Sequence, residues 1–146
     1  MANDTILKFG YPRSLIQEYE RWVVMLRPQQ ATLGSLVLAC KEDAQEFKNV
    51  SPGCMTEMHG IIADIESTLS RLFSYAKINY LMLMMVDPHI HFHVLPRYSC
   101  SHISLGKEFD DPGWPGPPKL EYKTELTDGE FNDLHMLISK KWPNVS

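Results

Sequence analysis

Apolar positions recur along this chain in three rhythms. Trp22-Val23-Val24-Met25-Leu26 and Ser35-Leu36-Val37-Leu38-Ala39-Cys40 are short, nearly unbroken apolar runs, and the residues between them carry Pro28 and Gly34. That punctuation predicts two buried antiparallel strands joined by a loop, while Ser14 to Tyr19 ahead of them reads as a short helix or loop. From Ser51 the rhythm changes. Met55, Met58, Ile62, Ile65, Leu69, Leu72 and Phe73 follow one another mainly at three and four residues, the spacing of one face of a helix. Ser51 suits the N-cap and Pro52 the first helical position. Glu57, Asp64, Glu66 and Arg71 fall off the stripe, so the helix should pack one face on a sheet and leave His59 partly exposed.

Ile78-Asn79-Tyr80-Leu81-Met82-Leu83-Met84-Met85-Val86 is almost wholly apolar and predicts a central strand covered on both faces. Its methionines read as core fillers. Asp87-Pro88 then turns the chain into a second strand, completing a hairpin. Beyond Arg97 the chain becomes Ser-rich and then Pro/Gly-rich, through Asp110-Asp111-Pro112-Gly113-Trp114-Pro115-Gly116-Pro117-Pro118. So many prolines forbid a helix or an inner strand and predict a rigid extended loop. Thr127 to Trp142 places Phe131, Leu134, Leu137 and Ile138 at helical spacing, a short closing helix. With no internal repeat, one domain is expected over residues 1–146.

Composition narrows the setting. Eighteen acidic against fourteen basic residues give a net charge of −4, which disfavours broad binding to nucleic acid. Cys40, Cys54 and Cys100 are odd in number and in no Cys-x-x-Cys pattern, as expected of reduced thiols in a cytoplasmic protein. The start Met1-Ala2-Asn3-Asp4-Thr5 lacks the basic head and apolar core of a signal peptide, and no apolar run reaches membrane-spanning length.

The second strand of the hairpin carries the chemistry. His89, His91 and His93, half of the six histidines, alternate with Ile90, Phe92 and Val94. Period two puts the imidazoles on one strand face and the apolar side chains on the other. Imidazoles titrate near neutrality, so the row offers a nucleophile, a general acid or metal ligands on one surface. Chelation of Zn²⁺ is one reading, although no Cys, Asp or Glu in the strand completes a site.

His89-Ile90-His91-Phe92-His93-Val94-Leu95 matches every position of the His-φ-His-φ-His-φ-φ motif, where φ is apolar, and the chain resembles the histidine triad (HIT) family of nucleotide-binding hydrolases and transferases. Asn79 sits where the family places an Asn strand before the triad. The Asp111-Pro112-Gly113-Trp114-Pro115 loop is similar to the tail of a bacterial branch resembling diadenosine-tetraphosphate hydrolases. The resemblance implies an α+β fold with a mainly antiparallel sheet, one long helix packed on it and a short C-terminal helix, assembled as a homodimer by joining two sheets. It implies that His91 attacks the α-phosphorus of a nucleoside phosphate, that a protonated His93 stabilises the leaving group, and that His89 orients His91. Asn79 would contact ribose, phosphate or a histidine. The partner would be a purine nucleotide or dinucleoside polyphosphate. No cofactor is required for the chemistry, although a divalent ion accompanying the substrate phosphates is compatible with it. Arg97 would either reach a distal phosphate or close the strand as a surface arginine. Trp22 and Leu26, with Phe9 upstream, would line a base pocket or simply pack in the core. Trp114 would cover the site, meet a partner subunit or anchor its loop.

The chain also departs from the family pattern. Ser35, counted among the substrate-binding candidates, follows Gly34 where a histidine is common. Lys41-Glu42-Asp43 ends its strand without the usual histidine, and Met85 replaces a Gln or Asn four residues before the triad. An alternative reading is therefore a nucleotide-sensing module that binds without turnover.

Overall fold

The structure, a computed structural model, describes residues 2–143; the first residue of the expected domain, Met1, and its last three, 144–146, lie outside them. Strands β1 (Leu15–Glu18), β2 (Trp22–Leu26), β3 (Leu36–Cys40), β4 (Lys77–Leu81) and β5 (His91–Arg97) form one antiparallel sheet in the order β1-β2-β3-β5-β4. Helices α1 (Asp4–Lys8), α2 (Pro52–Phe73) and α3 (Asp128–Lys141) complete an α+β architecture. A small hairpin, β6 (His102–Ser104) with β7 (Lys107–Phe109), turns through Leu105 and Gly106 at φ of 54° and 74°. Two consecutive left-handed residues match the right-handed twist of a two-residue hairpin.

The strand pattern divides the core in two. Trp22, Val24 and Leu26 of β2 and Leu36, Leu38 and Cys40 of β3 face α2, whose buried stripe is Cys54, Ile61, Ile65, Thr68, Leu69 and Phe73. Ser51 caps this helix by accepting from the Cys54 N–H, with Pro52 following. The expected stripe is rotated slightly, since Met55 is exposed and Ile61, rather than Ile62, points inward. Helix α3 opens with a capping box between Thr127 and Glu130 and adds Phe131, Leu134 and Ile138 to the same layer. The charged side chains of α2 also hold the sheet: Glu57 accepts from the Arg21 N–H, Asp64 from the Tyr19 hydroxyl and Glu66 from the Tyr80 hydroxyl. On the opposite face, Val23, Met25, Val37 and Ala39 pack against Ile6 of α1.

Two expectations need correction. Residues 14–19 hold a strand, β1, because Leu15, Gln17 and Glu18 pair with Met25, Val24 and Val23; pairing overrides a sequence with weak strand character. The apolar run 78–86 is not a central strand. It is strand only to Leu81, lies at the sheet edge beside β5, and leaves Met85 and Val86 exposed at 85% and 78%. The cysteines are free thiols, as expected, and Cys40 and Cys54 meet with their sulfurs 3.1 Å apart, at the end of β3 and the first turn of α2.

Candidate functional site

Register places the site. His91 pairs with Ala39 and His93 with Val37, so both imidazoles share the face that carries Val23, Met25 and Ile6, opposite the α2 layer. The strand proper begins at His91, and His89 lies in the segment that leads into it. Its ring nevertheless turns toward α1, where Nδ1 is 2.9 Å from the Thr5 hydroxyl, which also accepts from the His89 N–H. All three rings thus lie on the α1 side of the sheet.

Hydrogen bonding assigns two of the rings, His91 and His93, a tautomer. His91 Nδ1 lies 2.7 Å from the His89 carbonyl oxygen. A carbonyl only accepts, so Nδ1 carries the proton and Nε2 keeps a free lone pair. His93 is the reverse case. Its Nδ1 accepts from Arg27 Nε at 3.2 Å, leaving the proton of the neutral ring on Nε2. Burial, the Arg27 charge and then His91 push the His93 pKa down to about 4. A protonated His93, expected from the resemblance, is therefore disfavoured near neutrality, and the cation beside the histidines is Arg27.

The face is covered. His91 is 2% and His93 9% exposed, because the Phe9 ring sits 5.5 Å and 5.7 Å from them, centroid to centroid. Helix α1, just ahead of Phe9, is tied down by Asn3, which caps it and donates to the Cys40 carbonyl, and by the Lys8–Asp87 pair at 2.8 Å.

The other candidates separate into different places. Asn79 pairs with Leu95 on the histidine-bearing side of β5 and accepts from Arg97 at 2.8 Å. Arg97 is neither a surface residue nor free to meet a phosphate. It is buried, paired at 2.7 Å with Asp111, whose side chain is fully buried, and donates to the Gly116 carbonyl. Trp114 lies half-buried beside Asn79 and Arg97 at a cavity of about 470 Å³. Trp22 and Leu26 do not line the histidine face. Both are fully buried on the α2 side, with Trp22 Nε1 donating to the Cys54 carbonyl. Ser35 is buried in the β2–β3 loop, where its hydroxyl serves Thr32 through backbone N–H and carbonyl. Of the base-pocket candidates, only Phe9 reaches the histidines.

Sequence reasoning missed Arg27 and Thr5. Arg27 had a signal, a charge directly after five apolar strand residues; Thr5 had none, because its partner is 84 positions away. Among the described residues, the three ligating groups that converge within 4.8 Å are Cys40, Glu42 and Cys54, not the histidines. Burial raises the pKa of both thiols, which opposes the thiolate form a metal requires.

The HIT domain family model matches residues 10–100. The fold resembles a histidine triad (HIT) protein from Sinorhizobium meliloti, with TM-score 0.74, 19% identity, and coverage of 97% of this chain and 96% of that one. A histidine triad protein from Bradyrhizobium japonicum aligns at TM-score 0.73 and 14% identity, covering 97% of each chain. A Zn-bound histidine triad family protein from Mycobacterium smegmatis aligns at 0.60 and 17%, covering 92% and 90%. No curated protein sequence matches the chain.

Proposed function

The chain belongs to the HIT domain family, and from that membership we propose that it is a nucleotide-binding hydrolase or nucleotidyl transferase acting at the α-phosphate through His91. The observation that carries this reading is the tautomer of His91: its Nδ1–H is held by the His89 carbonyl, so Nε2 presents a lone pair. Neutral imidazole is a competent nucleophile at pH 7.

In the first displacement Nε2 attacks the α-phosphorus, a P–N bond forms, and the bond to the leaving group breaks with its electron pair departing on that group. His93, a neutral Nε2–H donor, hydrogen-bonds a phosphoryl oxygen or the leaving atom. Arg27 supplies positive charge behind it. In the second displacement water attacks phosphorus, the P–N bond breaks, and nucleoside monophosphate leaves with His91 restored. Dinucleoside polyphosphates and nucleoside phosphoramidates are the substrate types, with the purine stacked near Phe9. The active assembly is a homodimer.

A second reading is favoured by one feature. With His91 2% exposed beneath Phe9, a protein whose Phe9 rarely moves would sense nucleotide without turning it over. One experiment separates the two. Adenosine 5′-phosphoramidate and diadenosine tetraphosphate are incubated with the protein, denatured under alkaline conditions that spare a phosphoramidate, and mass-analysed. An adenylyl adduct on His91, absent from His91→Asn along with a fall of roughly three orders of magnitude in AMP release, is the expected result. Binding without an adduct or AMP selects the sensing reading. Wild-type turnover in His91→Asn eliminates covalent catalysis at this residue.

A further inference from the structure

Among the described residues, Arg27 is a buried cation without a counter-ion. It is 9% exposed; Nε donates to His93, and one terminal nitrogen donates to the Gln29 carbonyl. Both partners are neutral, and among the described residues no carboxylate stands within 4 Å of it. Burial alone acts on its ionisation, in the unfavourable direction. An arginine nonetheless stays charged in a protein, so the desolvated guanidinium is a standing cost that a bound anion would offset.

The surroundings say where the anion enters. Arg27, Lys8, Phe9, Pro28 and Gln29 line a cavity of about 270 Å³, and the same Phe9 ring rests on His91 and His93. Lys8 is exposed at the rim, sharing its charge with Asp87. We propose that this cavity is a second anion subsite, in which Arg27 takes a phosphate group of the substrate other than the one His91 attacks. This rests on the reading of His91 as the nucleophile. Arg27 is one hydrogen bond from His93, so a molecule whose reacting phosphorus lies at His91 extends past Phe9 into the cavity. The planar fork of a guanidinium suits two phosphate oxygens at once. The phosphate belongs either to the ribose or to the far end of a polyphosphate chain.

Three substrates distinguish these sources: adenosine 5′-phosphoramidate, its 3′-phosphorylated counterpart, and diadenosine tetraphosphate. Each is assayed with the wild type, Arg27→Met and Arg27→Lys, and binding of inorganic pyrophosphate is measured separately by calorimetry. The expected result is that Arg27→Met weakens pyrophosphate binding roughly tenfold or more and lowers kcat/KM on all three substrates, roughly tenfold more on one of the two more highly phosphorylated ones than on adenosine 5′-phosphoramidate, identifying its source. Arg27→Lys should retain part of that preference. Equal loss of kcat/KM on all three substrates with unchanged pyrophosphate binding would overturn the subsite and make Arg27 a positioning residue for His93. Pyrophosphate binding that depends on Arg27, with no substrate turned over, would keep the anion site and overturn the catalytic reading. If Arg27→Met fails to fold, Arg27→Gln retains a donor toward His93 and replaces it.

Discussion

A neutral imidazole held between a buried guanidinium and a second imidazole has its protonation decided by burial first and then by those neighbours. The His93 pKa is pushed down from 6.5, the value of a free ring, to about 4. Above about pH 6.5 the ring is neutral in folded and unfolded chains alike, and it contributes nothing to the pH dependence. As pH falls from 6.5 toward 4 the unfolded chain takes up the proton first, so stability declines through that window, by about 1.4 kcal/mol for each unit of pKa depression. The His93 resonances followed by NMR should titrate well below the range of a free imidazole. Arg27→Met should raise that value and flatten the loss of stability on acidification. A His93 resonance titrating near 6.5 in the wild type would contradict the Arg27–His93 arrangement.

Two elements hold the site by opposite means. The proline-rich loop is clamped by charge: Arg97 and Asp111 have side chains only 4% and 0% exposed, and Asp111 also accepts from the Tyr98 N–H. Removing one member of a buried pair leaves the other uncompensated. Asp111→Ala should therefore destabilise the protein by about 3–5 kcal/mol in urea melts, whereas a loss under about 1 kcal/mol would show Arg97 finding another partner. The segment around α1 is held by a cap, a salt bridge and the buried Ile6, while Phe9 itself contributes a half-buried ring. Phe9→Ala should uncover His91 and His93. Carbethoxylation of these rings should accelerate several-fold in the variant, with nucleotide affinity falling as the stacking ring is lost; an unchanged rate would mean that the histidines are reached by another route.

At the scale of the whole molecule the sheet is lopsided. Strand β1 is flanked by α3, whose His135 ring bonds the Leu15 carbonyl, but among the described residues β4 pairs only with β5. An open edge next to exposed Leu83, Met85 and Val86 is a template for pairing with another sheet. Joining two copies there would produce the homodimer proposed above. Sedimentation should give a dimer for the wild type, and Met85→Glu with Val86→Glu should shift it toward monomer. A monomeric wild type at micromolar concentration would remove the dimer from the proposal.

Local pattern alone determined much of this protein. Ser51-Pro52 and the apolar spacing specified α2, Thr127 and its periodic apolar residues specified α3, and unbroken apolar runs specified β2 and β3, because caps, helical period and strand composition act over a few residues. The triad motif pointed to the family in the same way, and alternation placed His91 and His93 on a shared face. Tertiary structure decided what sequence spacing does not encode. Apolar character could not say whether residues 78–86 were central or at an edge, because that depends on how many strands lie beside them. Nor could it tell which sheet face Trp22 and Leu26 would share with α2, bring Cys40 to Cys54, or bury Arg97 on Asp111. Above all, the chemistry of the histidines depends on groups remote in the chain: Arg27, 66 residues before His93, adds to burial in keeping it neutral, and Thr5, 84 before His89, orients that ring. Such pairings form only when the chain folds, since each is a long-range contact whose geometry comes from how helix, strands and loops pack together and not from local preference.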